Sequence, residues 1–315
     1  MVAVVGPTAA GKSDLAVALG QRLGGEVVNA DAMQVYRGMD VGTAKITVPE
    51  RHGVPHHLLD VLDVTETATV ADFQRLARQA IDDCLRRDVV PVLVGGSALY
   101  VRAILDDFVF PGTDDAVRAR LENELAELGP GAMHRRLAEI DPAAARQILP
   151  SNGRRIVRAL EVVEITGGPY IATLPEHRYV YDAVQLGIDV PRPVLDERIA
   201  GRVDAMFEAG FADEVRRLLG QGLREGRTAN RALGYSQVIA MLDGEISESE
   251  ARERTVQATR RFARRQDSWF RKDPRITWAG YDDPRLVESC LHALGNQPVR
   301  SGVDVMDTEN SDAGR

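Results

Sequence analysis

The eight residues Gly6, Pro7, Thr8, Ala9, Ala10, Gly11, Lys12 and Ser13 match the phosphate-cradling pattern G-x-x-x-x-G-K-[ST], and nothing else in the chain restricts its fold so tightly. Such a loop holds phosphate only when a buried strand delivers the backbone to it and a helix begins at its end. The glycines then let N–H groups converge on the anion, and the helix N-terminus adds partial positive charge. Both flanks are present: Val2 to Val5 is a short, mostly β-branched run, and Leu15, Leu19 and Leu23 recur on one helical face directly after Ser13.

The same alternation continues. Residues 27–31 read as a second strand with the carboxylate of Asp31 at its end. Residues 70–87 read as an amphipathic helix with Phe73, Leu76, Ala77, Ala80, Ile81 and Cys84 on one side. Residues 89–94 then form a buried strand closed by Gly95, Gly96 and Ser97, with a helix through Leu105. Strands alternating with helices predict an α/β fold: a parallel sheet flanked by helices, P-loop NTPase-like. From Asp115 the strand pattern stops. Helical patterns over 117–128, 132–140 and 154–165, broken by Gly129-Pro130, Asp141-Pro142 and Pro150, predict an all-helical insertion. A strand over 184–190 and helices over 194–210 and 249–269 return the chain to the sheet. The expected division is core over 1–114, insertion over 115–182, core again over 183–295, and a polar, unpatterned, disordered tail over 296–315.

Composition limits the partners. Two cysteines, Cys84 and Cys290, lie far apart with no ligand spacing, so neither a disulfide framework nor a zinc site is indicated and a reducing cytoplasm is expected. No run is long enough to span a bilayer. No assembly surface is visible, and a monomer is expected. The net charge of −8 argues against a polyanion as an average, but the charges are unevenly placed. Between 252 and 275 stand nine basic residues (Arg252, Arg254, Arg260, Arg261, Arg264, Arg265, Arg271, Lys272, Arg275) against three acidic ones (Glu253, Asp267, Asp273), interleaved with Phe262, Trp269 and Phe270. That pattern points to a nucleic-acid backbone.

In the loop, Lys12 supplies a mobile cation and Ser13 Oγ is placed to ligate Mg²⁺ shared with the phosphates. Alone, the loop says only that a phosphoanhydride, a nucleotide such as ATP included, is held. Kinase chemistry also needs an acid ending a hydrophobic strand. The strand over 89–94 ends in glycines instead, which leaves Asp31 as the carboxylate best placed at the crevice beyond the strand ends. His52, His56 and His57 are close in sequence, but no distant Cys/His arm completes a metal site, so they read as loop histidines near substrate or RNA.

Five stretches together carry a resemblance: "GPTAAGKS", "NADAMQVYRGMDVGTAK" (29–45), "PHHLLDV" (55–61), "PVLVGGSALY" (91–100) and "RRQDSWFR" (264–271). In this order, from Val2 to Trp278, the chain resembles the tRNA dimethylallyltransferase family, which prenylates the adenosine 3′ to the anticodon. The resemblance implies that the loop binds the leaving diphosphate of dimethylallyl diphosphate with Mg²⁺. It implies that Lys12 and an arginine, Arg202 or alternatively Arg198, stabilise that leaving group. It further implies that Asp31 takes the proton from adenine N6, and that Ser97, where the family more often has threonine, supplies a hydroxyl beside the amine. Positions matching the family's contacts to the tRNA anticodon stem-loop are Asp31, Ala32, Met33, Gln34, Ser97, Arg118, Arg154, Arg155, Arg158, Arg231, Gly234, Tyr235, Arg264, Arg265, Gln266, Trp269 and Arg271; Ser236 stands where the family often has arginine. The arginines at 154–158 alternatively pair with Glu161 and Glu164 along their own helix. A small-molecule P-loop kinase and a non-catalytic, nucleotide-gated RNA-binding protein stay open beside the prenyltransferase.

Overall fold

A computed structural model of the chain describes residues 1–170 and 177–295, and the expected tail over 296–315 lies outside them. The described residues form two compact units, one made of Met1–Ile104 with the chain from Tyr181 onward and the other lying within Leu105–Val180.

In the first unit, β1 (Val2–Val5) is buried at every position and runs into the loop that ends at α1 (Lys12–Leu23). There follow β2 (Glu26–Asn29), the two-residue β3 (His56–His57), α2 (Val70–Arg86), β4 (Pro91–Gly95) and α3 (Ala98–Leu105). Helix α2 starts where the Thr69 side chain accepts the Asp72 N–H, and it buries Phe73, Ala77, Ile81 and Cys84 as the periodicity predicts.

The second unit holds α4 (Asp115–Ile140), α5 (Pro142–Gln147) and α6 (Gly153–Thr166). Asp114 caps α4 by accepting from Ala116 and Val117 N–H. Within α4, Gly129 adopts φ 75° before Pro130, so two helical segments join at a kink. Leu121, Met133, Leu137, Ile156 and Leu160 make the core of this unit. It opens at Leu105, ahead of residue 115, because an antiparallel bridge from Asp106 to Tyr179 and the Val180 N–H to Leu105 carbonyl bond (2.8 Å) join the entering and leaving chains before the first helix.

Back in the first unit come β5 (Val184–Asp189), α7 (Arg192–Glu208), α8 (Phe211–Leu219), α9 (Tyr235–Leu242), α10 (Glu248–Phe270), β6 (Ile276–Gly280) and α11 (Leu286–Gly295). The strands form one parallel sheet in the order β3-β2-β4-β1-β5-β6, with Val4 opposite Val94 on one side and Leu186 on the other. The chain fills one flank of β1 first and the other after α6. The loop leaving β1 therefore sits where strand order reverses, the place where sheets of this kind bind ligands.

Candidate active site

The loop carries the backbone geometry that an anion cradle needs. Gly6 has φ 139° and Gly11 φ 95°, and Ala9 sits in the left-handed region at φ 65°. Gly11 is the N-cap of α1 and offers no side-chain cap, so the first N–H groups of the helix have no intrahelical acceptor. Lys12 folds back onto the loop, with Nζ 2.7 Å from the Pro7 carbonyl. As a residue it is half-buried, but its ammonium is desolvated enough to bring the pKa down to about 8; Asp31 opposes that shift and Arg202 adds to it. Desolvation also holds the Arg202 guanidinium below its usual value, with Asp14 pulling the other way and Arg198 reinforcing it. Asp31 and Arg202, far apart in sequence, thus both act on the Lys12 charge. Arg198, one helical turn earlier, lies over the Tyr281 ring at 4.7 Å.

Two cavities meet at the loop and share Ala9, Gly11, Asp14 and Arg202. One, of about 620 Å³, continues toward Ile188, Arg198, Tyr281, Leu286 and Val287. The other, of about 460 Å³, includes Lys12 and Ser13 and is walled by Val41, Ala44, Ile46, Ala205 and Met206 on its apolar side and by Asp40, Lys45, Thr47 and Glu50 on its polar side. Neither is lined by Asp31 or Ser97.

Those two residues follow neighbouring strands, because Asn29 at the end of β2 pairs with Val94 of β4. The buried Asn29 side chain accepts the Asp31 N–H at 2.9 Å and donates to the Asp31 and Leu58 carbonyls, both at 3.1 Å. Asp31 Oδ1 accepts the Met33 N–H at 2.9 Å, and its second oxygen has no partner among the described residues. The glycines closing β4 are there for lack of room. A Cβ on Gly95 would lie 2.6 Å from the Ala30 carbonyl oxygen, and one on Gly96 would lie 2.4 Å from Gln266 Nε2. A carboxylate at this strand end, as a kinase would carry, has no space.

Several residues expected to face RNA make contacts within the fold. Tyr235 is fully buried, its hydroxyl donating to Glu214 Oε1 at 2.6 Å, and Gly234 at φ 88° is pressed against the Phe211 ring. Burial and the adjacent Glu214 carboxylate push the Tyr235 phenol far up. Gln266 is 6% exposed, accepting from Thr8 N–H and donating to the Gly96 carbonyl. Gln34 donates to the Thr43 carbonyl at 3.2 Å, bracing its own loop. Arg271 pairs with Asp189 and Asp267 and lies over Trp278. In the second unit, Arg118 and Arg158 both bond the fully buried Glu161, and Arg158 also bonds the Pro111 and Gly112 carbonyls. Burial alone would raise the Glu161 carboxyl, but the hydrogen bonds from Arg118, Arg158 and the Asp114 N–H outweigh it and hold it below the ordinary range. Glu164 is taken by Arg120.

Others stay available. Arg154, Arg155 and Arg231 are exposed with no ion-pair partner among the described residues, as are Arg261, Arg264 and Arg265 on α10. Trp269 is 45% exposed, and Ala32 and Met33 are half-buried just after Asp31.

Among the buried charges that escaped the reading of the sequence are Glu214 and Lys45. Glu214 accepts from the N–H groups of Asp40, Val41 and Gly42 at 2.7–3.1 Å, and Lys45 donates to Tyr36 O, Asp40 and Asp60 at 2.6–2.8 Å. The signal was present for the first: on the apolar face Phe211, Val215, Leu218 of α8, an acid stands at the buried position 214. His57 does meet a cysteine and a carboxylate, lying 2.7 Å from Glu26 and 3.9 Å from Cys84. Arg87, however, already clamps Glu26 with two bonds of 2.7 Å and brings it down to about 2, while burial pushes the Cys84 thiol up to about 11. His57 is thus placed in this ion-pair network, and His56 bonds the Val54 carbonyl.

Known proteins resemble the chain over most of its length. Residues 34–273 match the family model described as IPP transferase. A protein of Streptomyces coelicolor named tRNA dimethylallyltransferase is 69% identical over 95% of this chain and 96% of its own, and one of Thermobifida fusca with the same name is 66% identical over 91% and 92%. Among solved structures, the full-length tRNA isopentenylpyrophosphate transferase of Bacillus halodurans is 41% identical with a TM-score of 0.69, covering 93% of this chain and 95% of that one. A eukaryotic dimethylallyltransferase described as acting on tRNA is 25% identical with a TM-score of 0.82, covering 95% and 80%.

Proposed function

The chain belongs to the IPP transferase family, and from that premise we propose how its residues carry the reaction. It transfers a dimethylallyl group from dimethylallyl diphosphate to N6 of the adenosine 3′ to the anticodon of tRNA, releasing diphosphate; the names of its relatives state dimethylallyl transfer and tRNA for them. The observation that carries the residue-level reading is the Lys12 ammonium folded onto the Pro7 carbonyl within electrostatic reach of Asp31 and Arg202, beside a strand, β4, that has no room for an acid at its end.

In the transfer, the N6 lone pair forms a bond to the allylic carbon while that carbon's bond to oxygen breaks, and the electron pair leaves with diphosphate. The leaving anion lies on the N–H groups at the start of α1, with Lys12 and Arg202 neutralising the developing charge. Arg202 is preferred over Arg198 because it borders both cavities, whereas Arg198 lies against Tyr281. The apolar wall of Val41, Ile46 and Met206 suits a five-carbon branched chain. Asp31, held by the Met33 N–H through one oxygen, keeps the other for the N6 proton. The Ser97 hydroxyl orients the amine. Among the described residues the oxygen donors Ser13 and Asp14, with no thiolate or imidazole beside them, fit Mg²⁺, which when bound would neutralise diphosphate charge.

The adenosine must leave its stack to reach this edge, which costs a few kcal/mol at most in a single-stranded loop. Arg154, Arg155 and Arg231, with Arg261, Arg264, Arg265 and Trp269 of α10, are the groups left to hold RNA. Among the described residues no helix is long and apolar enough to cross a membrane, and the two free, buried thiols suit a reducing cytoplasm.

The test is incubation of purified protein with unmodified tRNA, dimethylallyl diphosphate and Mg²⁺, then mass analysis of the digested nucleosides. A C₅ unit on adenosine is expected. Its absence, with phosphate transferred from ATP instead, would replace this reading with a kinase.

A further inference from the structure

We propose that Gln266 is a positioning residue for the transfer: one buried amide fixes the distance between the loop that holds the leaving group and the turn that carries Ser97. The inference rests on the prenyl-transfer reading of the site.

Gln266 lies on the inner face of α10 between Ala263 and Phe270, both buried, so its stem is immobilised by packing. The amide bridges two pieces of backbone from different strands. Its oxygen accepts the Thr8 N–H at 2.9 Å, and its nitrogen donates to the Gly96 carbonyl at 2.7 Å. An acceptor is needed at one end and a donor at the other, and a carboxamide supplies both without a charge. Thr8 is in the loop four residues before Lys12, and Gly96 immediately precedes Ser97. Gly96 approaches the amide so closely that a Cβ would stand 2.4 Å from Nε2. The turn is therefore pressed against Gln266, and the loop is tied to its other end.

In-line transfer requires reacting atoms about 3–3.5 Å apart, and misplacement by about 1 Å costs roughly 10²-fold in rate. A link that sets donor loop against acceptor turn thus governs turnover more than binding. A buried glutamine that merely satisfied its own polar atoms would govern stability alone.

The test compares wild type with Gln266→Met, which keeps the volume and removes both hydrogen bonds, and with Gly96→Ala, which displaces the amide from the other side. For both variants we expect kcat for prenyl transfer to fall about 10- to 100-fold, tRNA Kd to stay within about twofold, and inorganic pyrophosphate to bind more weakly by titration calorimetry. Turnover per folded molecule equal to wild type in both, with pyrophosphate affinity intact and only Tm lowered, would overturn the proposal. Should Gln266→Met fail to fold, Gly96→Ala decides alone. Wild type that transfers no prenyl group would sink the functional reading instead, and the pyrophosphate titration would still report on Gln266.

Discussion

Tyr235 donates its hydroxyl to Glu214 inside a site closed to water, which leaves it nothing to offer a ligand. Tyr235→Phe is expected to destabilise the protein by about 1–3 kcal/mol, since a hydrogen bond to a buried carboxylate is lost, while tRNA affinity is unchanged; chemical denaturation and a binding assay on the same variant decide between the two roles. Asp31 offers the opposite case. Asp31→Asn keeps an oxygen for the Met33 N–H but cannot take a proton, so turnover should drop about 10²-fold or more with tRNA bound as before. Equal losses of turnover and affinity would make Asp31 a binding residue. Lys12 gives a pH signature. Its ammonium is charged below about pH 8 in the free protein, so the hold on pyrophosphate should weaken as pH rises through 8. An unfolded lysine keeps its proton to 10.5, so the desolvation penalty on the fold is full below about pH 8 and is relieved toward 10.5. Ligand affinity and fold stability should therefore move in opposite directions over that interval, and Lys12→Met should flatten both curves. Parallel decline would place the titration elsewhere.

At the scale of elements, α10 shows what periodicity can and cannot reveal. Its helical span was legible, and so was its excess of arginines. Which of them are free was not, because Arg252, Arg260 and Arg271 find acids on other segments: Asp204, Asp196 and Asp189. Arg261, Arg265 and Trp269 remain as a ridge at four-residue spacing, opposite the buried Ala263, Gln266 and Phe270. Replacing Arg261, Arg264 and Arg265 by alanine should weaken tRNA binding and reduce its log–log salt slope by about 2, at roughly 0.7 per single-strand phosphate contact. Arg252→Ala, already paired and lying over Phe207, should leave that slope unchanged. A slope unmoved in the triple variant would remove α10 from the interface. The strands β3 and β6 left little sequence signal for a related reason. One is only two residues long, and the other borders the sheet with one partner, so tertiary pairing rather than pattern creates them. The burial of Tyr235 was not legible either, because a buried tyrosine and an exposed one are written with the same letter.

For the molecule as a whole, a net charge of −8 coexists with an RNA-binding role because many arginines answer acids within the fold, while short stretches such as 154–155 and 261–265 keep exposed arginines. The parallel sheet and helical insertion were readable from alternation and its loss. The electrostatic anchors were not, since each joins distant segments. Glu161 is the anchor of the second unit: Arg118 from α4 and Arg158 from α6 both converge on it, and Glu164 goes to Arg120. Of the two alternatives for the arginines at 154–158, one residue takes the ion pair and two keep their charge for solvent or RNA. Glu161→Gln leaves two partly buried guanidinium groups without their counter-ion and should cost about 3 kcal/mol at pH 7. The dependence on acid separates charge from shape. In wild type the Glu161 carboxyl is held below its ordinary 4.5, so its stabilisation is complete above that value and is lost as pH falls through the lowered one. The denaturation midpoints of variant and wild type should therefore differ most near neutrality and converge as the medium becomes more acidic than pH 4.5. A gap of constant size down to pH 3 would mean that Glu161 works through packing, and that the arginines of α4 and α6 are free to meet RNA after all.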